Sequence, residues 1–205
     1  MKKDGIVLER NKFFAFITRM KYISRWGLMR NNITENIQEH SLDVAIIAHA
    51  LAVINNVYFG GDWNADRIAV LAMYHDANEI ITGDMPTPVK YYNPDIRSAY
   101  KEIEKISKCR LLDMLPCEMK EVYRHYFDVD DSNPEIYWTV VKAADKLSAY
   151  IKCVEERKSG NSEFMEAEKS LFELISKIGL PEVRFFIEKF LPAYEMTLDE
   201  INAGD

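Results

Sequence analysis

Two polar side chains, His75 and Asp76, stand side by side near the end of an apolar segment, residues 66–79, that has the composition of a buried helix. A charge buried there needs a compensating partner. A neutral imidazole and a carboxylate both ligate divalent cations, and adjacent positions let a chelate form with little further loss of chain entropy. The pair therefore suggests a metal site, although a single His-Asp dipeptide also occurs by chance in many chains.

Two more polar residues fall on the apolar faces of predicted helices. His40 recurs with aliphatic residues at helical spacing, and Asp145 does the same in a later segment, so both side chains should point inward. Their neighbours on those faces are Val44, Ile47 and Leu51 for His40, and Trp138, Val141 and Ser148 for Asp145. Three helices would thus aim polar groups at one interior point, in the chain order His, His-Asp, Asp.

This order of residues on helices resembles the HD-domain metal-dependent phosphohydrolases, and the surrounding motifs are similar to those of the bacterial YfbR-type 5'-deoxynucleotidases. The motifs that carry the resemblance are Arg25-Trp26 and residues 34–41, 73–79, 83–90 and 142–150. The resemblance implies an all-α, single-domain helical bundle of the HD type over residues 1–205. Residues 1–11 are an N-terminal extension to which no function is assigned.

The resemblance also implies a set of metal ligands: His40, His75, Asp76 and Asp145. Nitrogen and oxygen donors suit cobalt, manganese, copper, iron, nickel or zinc, so the donor set does not identify the cation. HD proteins with two metals recruit extra histidines. Here His49, nine positions after His40, should face the opposite side of its helix, and His125 has no other ligand candidates near it. We therefore expect one divalent transition-metal cation per chain.

Glu79 is the candidate for activating the attacking water, with Asp84 assisting. Glu79 follows His75 by four positions, which would place both on one helix face, one turn apart. A carboxylate there could take a proton from a water near the metal or protonate a leaving oxygen. The alternative is a solvated glutamate in the last turn of a helix.

The predicted helix ends before a loop rich in Gly and Pro, at residues 83–88. The resemblance implies that this loop contacts the nucleotide, and the alternative is an ordinary proline-rich turn. The substrate-binding residues implied by the resemblance, on this loop and elsewhere, are Arg25, Trp26, His40, Asp76, Asp84, Met85, Pro86 and Thr87.

Within that set, the resemblance gives Arg25 a catalytic role in orienting the phosphate and gives Trp26 the role of crowding the sugar against a 2'-hydroxyl. Both roles make physical sense, since a guanidinium offers two donors to a phosphate and an indole wall offers no partner to a hydroxyl. The alternative is a helix cap and a core anchor. Lysines near these motifs are interpreted as solvated: Lys90, Lys142 and Lys146.

Composition excludes several classes of partner. The net charge is −7 and acidic and basic residues are interspersed, so no basic stripe for a nucleic-acid polymer is visible. No stretch approaches the roughly 18 uninterrupted apolar residues of a membrane span. The three cysteines lack CxxC spacing, which favours a reduced, cytoplasmic chain. The resemblance further implies that the chain forms a homodimer.

Helical patterns cover most of the sequence, and strand patterns are absent or too short to trust. The predicted helices are residues 12–24, 36–55, 64–82, 95–115, 116–127, 134–158, 162–178 and 181–195. The function implied by the resemblance is hydrolysis of a small-molecule substrate, a deoxyribonucleoside 5'-monophosphate, to the deoxyribonucleoside and phosphate. Two alternatives stay open: another HD activity, on triphosphates or phosphodiesters, and a nucleotide-binding module without turnover.

Overall fold

A computed structural model describes residues 11–90, 92–127 and 133–203, and the backbone alone at Thr87. The α-helices are Phe13–Ile17 (α1), Ile37–Tyr58 (α2), Ala65–Tyr74 (α3), Glu79–Thr82 (α4), Thr87–Lys90 (α5), Pro94–Leu112 (α6), Cys117–Arg124 (α7), Glu135–Lys158 (α8), Met165–Ser176 (α9), Pro181–Lys189 (α10) and Leu198–Asn202 (α11). Short 3₁₀ turns are Thr18–Tyr22, Ser162–Phe164 and Leu191–Glu195. Within these ranges no strand forms, which confirms the all-α prediction. That residues 1–205 make one domain stays a prediction, and residues 1–10 lie outside the described part.

Helix α2 is the centre of the bundle. It packs against α3, α8 and α10, and α9 covers the far side of α8. The apolar core between these helices is fully buried and includes Val44, Leu51, Leu71, Val140 and Leu147. A second core joins α1, the segment after α3 and the α6–α7 corner through Phe13, Ile37, Ala77, Leu111 and Phe127. The polar site lies where these two cores meet.

A capping box fixes the start and therefore the register of α2. The Asn36 side chain accepts hydrogen bonds from the N–H groups of Gln38 and Glu39, and the Glu39 carboxylate accepts the N–H of Asn36 in return. This arrangement satisfies N–H groups that the first helical turn leaves without partners. With α2 anchored there, His40 turns inward and is completely buried, as its spacing predicted.

The prediction of one helix over residues 64–82 is wrong, because the chain leaves α3 at Tyr74 and re-enters a helix at Glu79. Over this break, N–H groups bond three residues back instead of four: Ala77 to Tyr74 and Glu79 to Asp76. The cause is tertiary. Residues of α3 pack in the first core, whereas Ala77 is fully buried in the second, so the chain must turn between them. His75 and Glu79 therefore do not share one regular helix face.

Two other predicted helices are shorter than expected. The helix predicted over residues 12–24 ends in a 3₁₀ turn, since Ile23 is extended and its carbonyl accepts the N–H of Ile37. The helix predicted over residues 181–195 ends at Lys189 and continues as a 3₁₀ turn containing Pro192. Proline has no N–H to continue the α-helical hydrogen-bond pattern.

Helix α2 is long and apolar enough to cross a membrane, by length and composition alone. Half of its most apolar window is buried inside the protein, however, as is usual for a core helix, and this makes α2 weak support for a membrane span. It is the one candidate within the described residues.

A buried carboxylate near the end of α8 anchors the segment between α1 and α2. Glu156 is fully buried and accepts the N–H groups of Asn32 and Ile33, both at 3.0 Å, as well as the Asn161 amide and the Lys152 ammonium. Burial alone would raise the pKa of Glu156, but Lys152 and these hydrogen bonds lower it to about 2. The segment that carries Arg25 and Trp26 is therefore held to α8 by an ionised side chain.

We expect Glu156→Ala to lower the free energy of unfolding by about 3–5 kcal/mol at neutral pH, because the buried Lys152 ammonium loses its anionic partner and keeps only the carbonyl of Ile33. Urea unfolding measures this, with the exposed neighbour substitution Glu155→Ala as control, expected to change stability by less than about 0.5 kcal/mol. A lowered pKa stabilises the fold above the usual carboxyl value and ceases to do so below the folded value. The difference in free energy of unfolding between wild type and variant should thus become smaller as the pH falls from 4.5 toward about 2. A difference that stays constant over that range would contradict an ionised Glu156 in the folded protein.

Candidate active site

Three potential metal ligands meet in the interior of the bundle. His40 lies on the first turn of α2, and His75 and Asp76 occupy the break after α3. Their donor atoms all lie within 4.8 Å of one another. The Oδ2 atom of Asp76 is 3.1 Å from His75 Nε2 and 3.8 Å from His40 Nε2. The dipeptide and the upstream histidine are therefore brought together as the sequence predicted.

Hydrogen bonds on the outer nitrogens orient both imidazoles. His75 Nδ1–H donates to the carbonyl of Ala72 at 2.6 Å, which leaves Nε2 as the ring nitrogen that faces the cluster. That Nε2 atom is buried and makes no hydrogen bond of normal geometry with the described residues, although Asp76 Oδ2 lies 3.1 Å away. His40 Nδ1 lies 3.2 Å from the Ser148 hydroxyl, so its Nε2 also faces the cluster. A buried imidazole nitrogen that faces a carboxylate, with the other ring nitrogen held by a carbonyl, fits a ligand of a cation.

Asp145, from α8, lies against the same histidine. Its Oδ1 atom is 3.1 Å from His40 Nε2, and its side chain is 39% exposed whereas that of His40 is fully buried. Asp145 therefore marks the side of the cluster that opens to solvent. Two imidazoles and two carboxylates are suitable donors for a transition-metal cation.

The charges of the cluster shift the pKa values of its members. Burial alone would lower the pKa of His75, but the Asp76 carboxylate raises it to about 9. Burial would raise the pKa of Asp76, but His75 and Arg25 hold it well below its usual range. Burial would raise the pKa of Asp145 too, but its hydrogen bond to His40 and the charges of His40 and His75 together lower it. Both carboxylates are thus ionised at neutral pH, as metal ligation requires.

Arg25 brings a guanidinium to the edge of the cluster. Its NH1 nitrogen is 3.7 Å from Asp76 Oδ2, and its Nε–H donates to Glu35 Oε2 at 3.0 Å. Burial alone would lower the pKa of Arg25, but Glu35, Asp145 and Asp76 raise it. A permanent positive charge therefore stands beside the anionic ligands.

Trp26 is held in an unusual backbone conformation next to Arg25. Its φ angle is +58°, in the left-handed region that large side chains rarely adopt. Its N–H donates to Asp84 at 3.3 Å, and its indole N–H donates to Glu35 at 3.0 Å. The ring also packs edge-on against Phe164. The tryptophan is thus fixed by polar contacts, which a simple core anchor does not need.

Glu79 and Asp84 are the carboxyl groups nearest to the role of proton transfer. Glu79 is 7% exposed, and its Oε2 has no hydrogen-bond partner within the described residues. Burial, together with repulsion from Asp76 and Asp84, raises the pKa of Glu79 to about 10. Burial also raises the pKa of Asp84, against the opposing effect of Arg25. Glu79 in the protein alone therefore carries a proton at neutral pH.

A cavity of about 510 Å³ opens beside these groups. Its wall contains Arg25, Trp26, Asp84, Met85, Pro86 and Asp145. Asp145 contacts His40 of the donor cluster and Arg25 borders Asp76, so the cavity reaches the cluster. The loop after α4 therefore lies beside the proposed metal ligands, as the sequence predicted. The backbone of Thr87 begins α5, and its side chain is outside the described part.

Sequence reasoning missed two residues of this site. Glu35 contacts both Arg25 and Trp26, yet it stands in a segment without helical periodicity; its only signal was its place in the matched motif before His40. Lys146 was interpreted as a solvated lysine but lines the cavity. Lys90 is partly buried and pairs with Glu104 at 2.9 Å, so it is not the solvated lysine that was expected, although it does not line the cavity. Lys142 is exposed, as expected.

Comparison with known proteins places this geometry in a family. A family model described as 5'-deoxynucleotidase YfbR-like matches residues 12–194. A 5'-deoxynucleotidase of Photorhabdus temperata is 52% identical over 190 residues, which are 93% of this chain and 96% of that protein. A 5'-deoxynucleotidase of Vibrio cholerae is 48% identical over 195 residues, 95% of this chain and 100% of that protein.

Solved structures share the fold. An HD-domain phosphohydrolase from Listeria innocua has a TM-score of 0.77 at 22% identity, covering 89% of this chain and 88% of its own. The cyanophage S-2L HD phosphohydrolase DatZ, solved with dA and one catalytic Zn²⁺ ion, has a TM-score of 0.61 at 18% identity and covers 89% of this chain and 96% of its own. The fold is therefore that of the HD-domain phosphohydrolases. Because the family model spans residues 12–194 and these relatives are about half identical over nearly their whole length, the chain belongs to the YfbR-like 5'-deoxynucleotidase family.

Proposed function

We propose that this protein hydrolyses deoxyribonucleoside 5'-monophosphates to the deoxyribonucleoside and inorganic phosphate, with one divalent transition-metal cation held by His40, His75, Asp76 and Asp145. The observation that carries the proposal is the convergence of three donors: His75 Nε2, which makes no hydrogen bond of normal geometry with the described residues, faces the Asp76 carboxylate and the His40 imidazole. The family supports the activity, and the cavity beside the donors has room for a nucleotide. The cation, when bound, supplies positive charge that polarises the phosphate and acidifies a bound water.

Arg25 orients the phosphate in this proposal. Its Nε–H is occupied by Glu35, so the terminal nitrogens are the ones that face the cluster beside Asp76. A guanidinium in that position can donate to two phosphate oxygens at once and stabilise the charge that develops as water attacks. Asp76 and His40 also border the phosphate position, in keeping with their place among the implied substrate contacts.

Glu79 moves a proton in the reaction. The sequence favoured activation of the attacking water and named protonation of the leaving oxygen as the other possible role. The raised pKa of Glu79 in the protein without a cation favours the second role instead, because a carboxyl that holds its proton at neutral pH can give it to the departing 5'-oxygen. Asp84, on the loop beside the cavity, is the second candidate for proton transfer with water.

Sugar and base would occupy the rest of the cavity. Trp26 lines it and is proposed as the wall that disfavours a 2'-hydroxyl, while Met85, Pro86 and Thr87 belong to the loop proposed to cover the nucleoside. The indole N–H already donates to Glu35, so it has no donor left for a ribose hydroxyl. Rejection by the wall would thus be steric, reinforced by an unsatisfied hydroxyl.

One assay tests the function against its alternatives. The purified protein is stripped of metal, reloaded across a panel of divalent cations and supplied with matched deoxy- and ribonucleoside 5'-monophosphates while phosphate release is followed. Release of orthophosphate from the deoxy substrates supports the proposal. Turnover of triphosphates or phosphodiesters alone would indicate a different HD activity, and binding without turnover would indicate a binding module.

We further propose a cytoplasmic homodimer. The resemblance implies the dimer, and an apolar stripe along the outer face of α2 supports it: Leu42, Ile46, Val53 and Val57 are all exposed. A stripe of this kind favours contact with another apolar surface. Light scattering of the purified protein should give twice the mass of the chain, and the mass of a single chain would contradict the dimer.

The free thiols of Cys109, Cys117 and Cys153 support a reducing compartment.

His75→Ala and Asp145→Ala should each lose most of the bound cation together with activity, because the remaining donors form an incomplete set of ligands. Elemental analysis of purified variants measures occupancy. His49→Ala is the matched control, since His49 is largely exposed, and this variant should keep its metal. Full occupancy in either cluster variant would remove that residue from the proposed ligands.

Glu79→Ala should keep the cation and bind deoxynucleotide while turnover falls by roughly 100-fold or more, the scale of a lost general acid or base. Glu79→Gln preserves the shape of the side chain but cannot transfer the proton, and it should be equally slow. Metal content, calorimetric binding and kcat are compared for both variants. Turnover near the wild-type rate in Glu79→Gln would assign proton transfer to another group.

Trp26→Ala should change the deoxy-to-ribo ratio of kcat/KM, whereas Arg25→Ala should leave that ratio unchanged. Removing the wall should narrow the preference for deoxy over ribo substrates, which we expect to be about 10- to 100-fold in kcat/KM, chiefly by admitting ribonucleotides. Loss of Arg25 should weaken both substrates alike, because both carry the same phosphate. Values of kcat/KM for one deoxy/ribo pair of nucleoside 5'-monophosphates distinguish the two roles. An unchanged deoxy-to-ribo ratio in Trp26→Ala would indicate that this tryptophan only packs.

A further inference from the structure

Glu35 faces Arg25 across a short backbone pairing. The N–H of Arg25 donates to the carbonyl of Glu35 at 3.0 Å, and an antiparallel bridge joins their neighbours Ser24 and Asn36. The pairing ends at the capped start of α2, so Glu35 has a rigid element immediately behind it. Its position relative to Arg25 is thus set by the backbone.

One oxygen of the Glu35 side chain contacts both substrate-facing residues. Oε2 accepts the Nε–H of Arg25 and the indole N–H of Trp26, each at 3.0 Å. The side chain is only 10% exposed, and its other oxygen lies 3.8 Å from His40 Nδ1. Hydrogen bonds to a charged acceptor in such a place are stronger than those between neutral groups.

Each contact has a consequence for the site. Bonding at Nε fixes the plane of the Arg25 guanidinium and leaves its terminal nitrogens toward Asp76. Bonding at the indole holds Trp26 at a positive φ angle, a conformation that persists only where the surroundings over-determine it. Asp84 holds the backbone of Trp26, and Glu35 holds its ring.

We infer that Glu35 is a positioning residue that holds the phosphate-binding Arg25 and the sugar-facing Trp26 in one arrangement, and thereby couples phosphate affinity to sugar selectivity. The inference rests on the proposed function. Both hydrogen bonds of the Glu35 side chain go to residues of the substrate cavity, and not to the surrounding helices. A carboxylate that served only the fold would be expected to bond to the helices that it joins.

The test uses the full chain loaded with its cation and one deoxy/ribo pair of nucleoside 5'-monophosphates. Glu35→Ala should raise KM for the deoxy substrate and lower the deoxy-to-ribo ratio of kcat/KM, each by roughly 10-fold, the scale of one lost charge-assisted hydrogen bond. Glu35→Gln should keep the ratio within about threefold of wild type, because the amide oxygen still accepts the indole N–H. Its KM should lie between those of the other two proteins.

Asp43→Asn is the matched control. Asp43 lines the same small polar pocket as Glu35 but is not among the contacts of Arg25 or Trp26. Its substitution should therefore leave KM for the deoxy substrate and the deoxy-to-ribo ratio of kcat/KM within about twofold of wild type. If Glu35→Ala does not fold, Glu35→Asp takes its place: it keeps the charge but withdraws the oxygen from both partners, and the ratio must again fall. Metal content is measured for every variant to show that the ligand cluster is intact.

A double variant separates the inference from the proposed function. In a protein that already carries Trp26→Ala, adding Glu35→Ala should not change the deoxy-to-ribo ratio of kcat/KM further, because the tryptophan through which Glu35 acts on the sugar is absent. If Trp26→Ala narrows the ratio but Glu35→Ala leaves it unchanged, the inference is wrong and the function stands. If the wild-type protein releases no phosphate from deoxynucleotides, the proposed function fails and the inference falls with it.

Discussion

The whole site depends on matching opposite charges in a largely buried part of the bundle. A carboxylate such as Asp76 is costly to bury unless cationic or hydrogen-bonding groups surround it. Here it lies between the His75 imidazole and the Arg25 guanidinium, and Arg25 is matched in turn by Glu35. Because these groups come from different elements, charge pairing joins the end of α3 to the segment before α2, in addition to apolar packing.

The position of the cluster follows from the way the two apolar cores divide the chain. The regular helix α3 serves the first core, and the short α4 begins beside the second. Between them the backbone turns, and the turn presents adjacent side chains of the dipeptide inward together. His75 and Asp76 occupy this turn, and their donor atoms reach the same cluster.

The sequence predicted the parts of this site that depend on local periodicity. His40 and Asp145 stand on helical faces that the spacing of apolar residues identifies, and both lie in the cluster. The break after α3 was not predictable in this way, because it follows from the burial of Ala77 in a separate core. The contacts of Glu35 arise from a pairing of two irregular segments, which leave no periodic pattern. The roles assigned to these residues stay predictions until the variants are measured.

Helix α8 carries Asp145 near its middle and Glu156 near its end, eleven residues apart, or about 16 Å along a rigid rod. One residue belongs to the ligand cluster and the other holds the segment that bears Arg25 and Trp26. The helix is therefore a spacer between the ligand cluster and the anchor of the segment that bears Arg25 and Trp26. Insertion of one residue between Asp145 and Glu156 would turn Glu156 about 100° away from that segment. Changes in length among related chains should accordingly be confined to the connections outside this stretch.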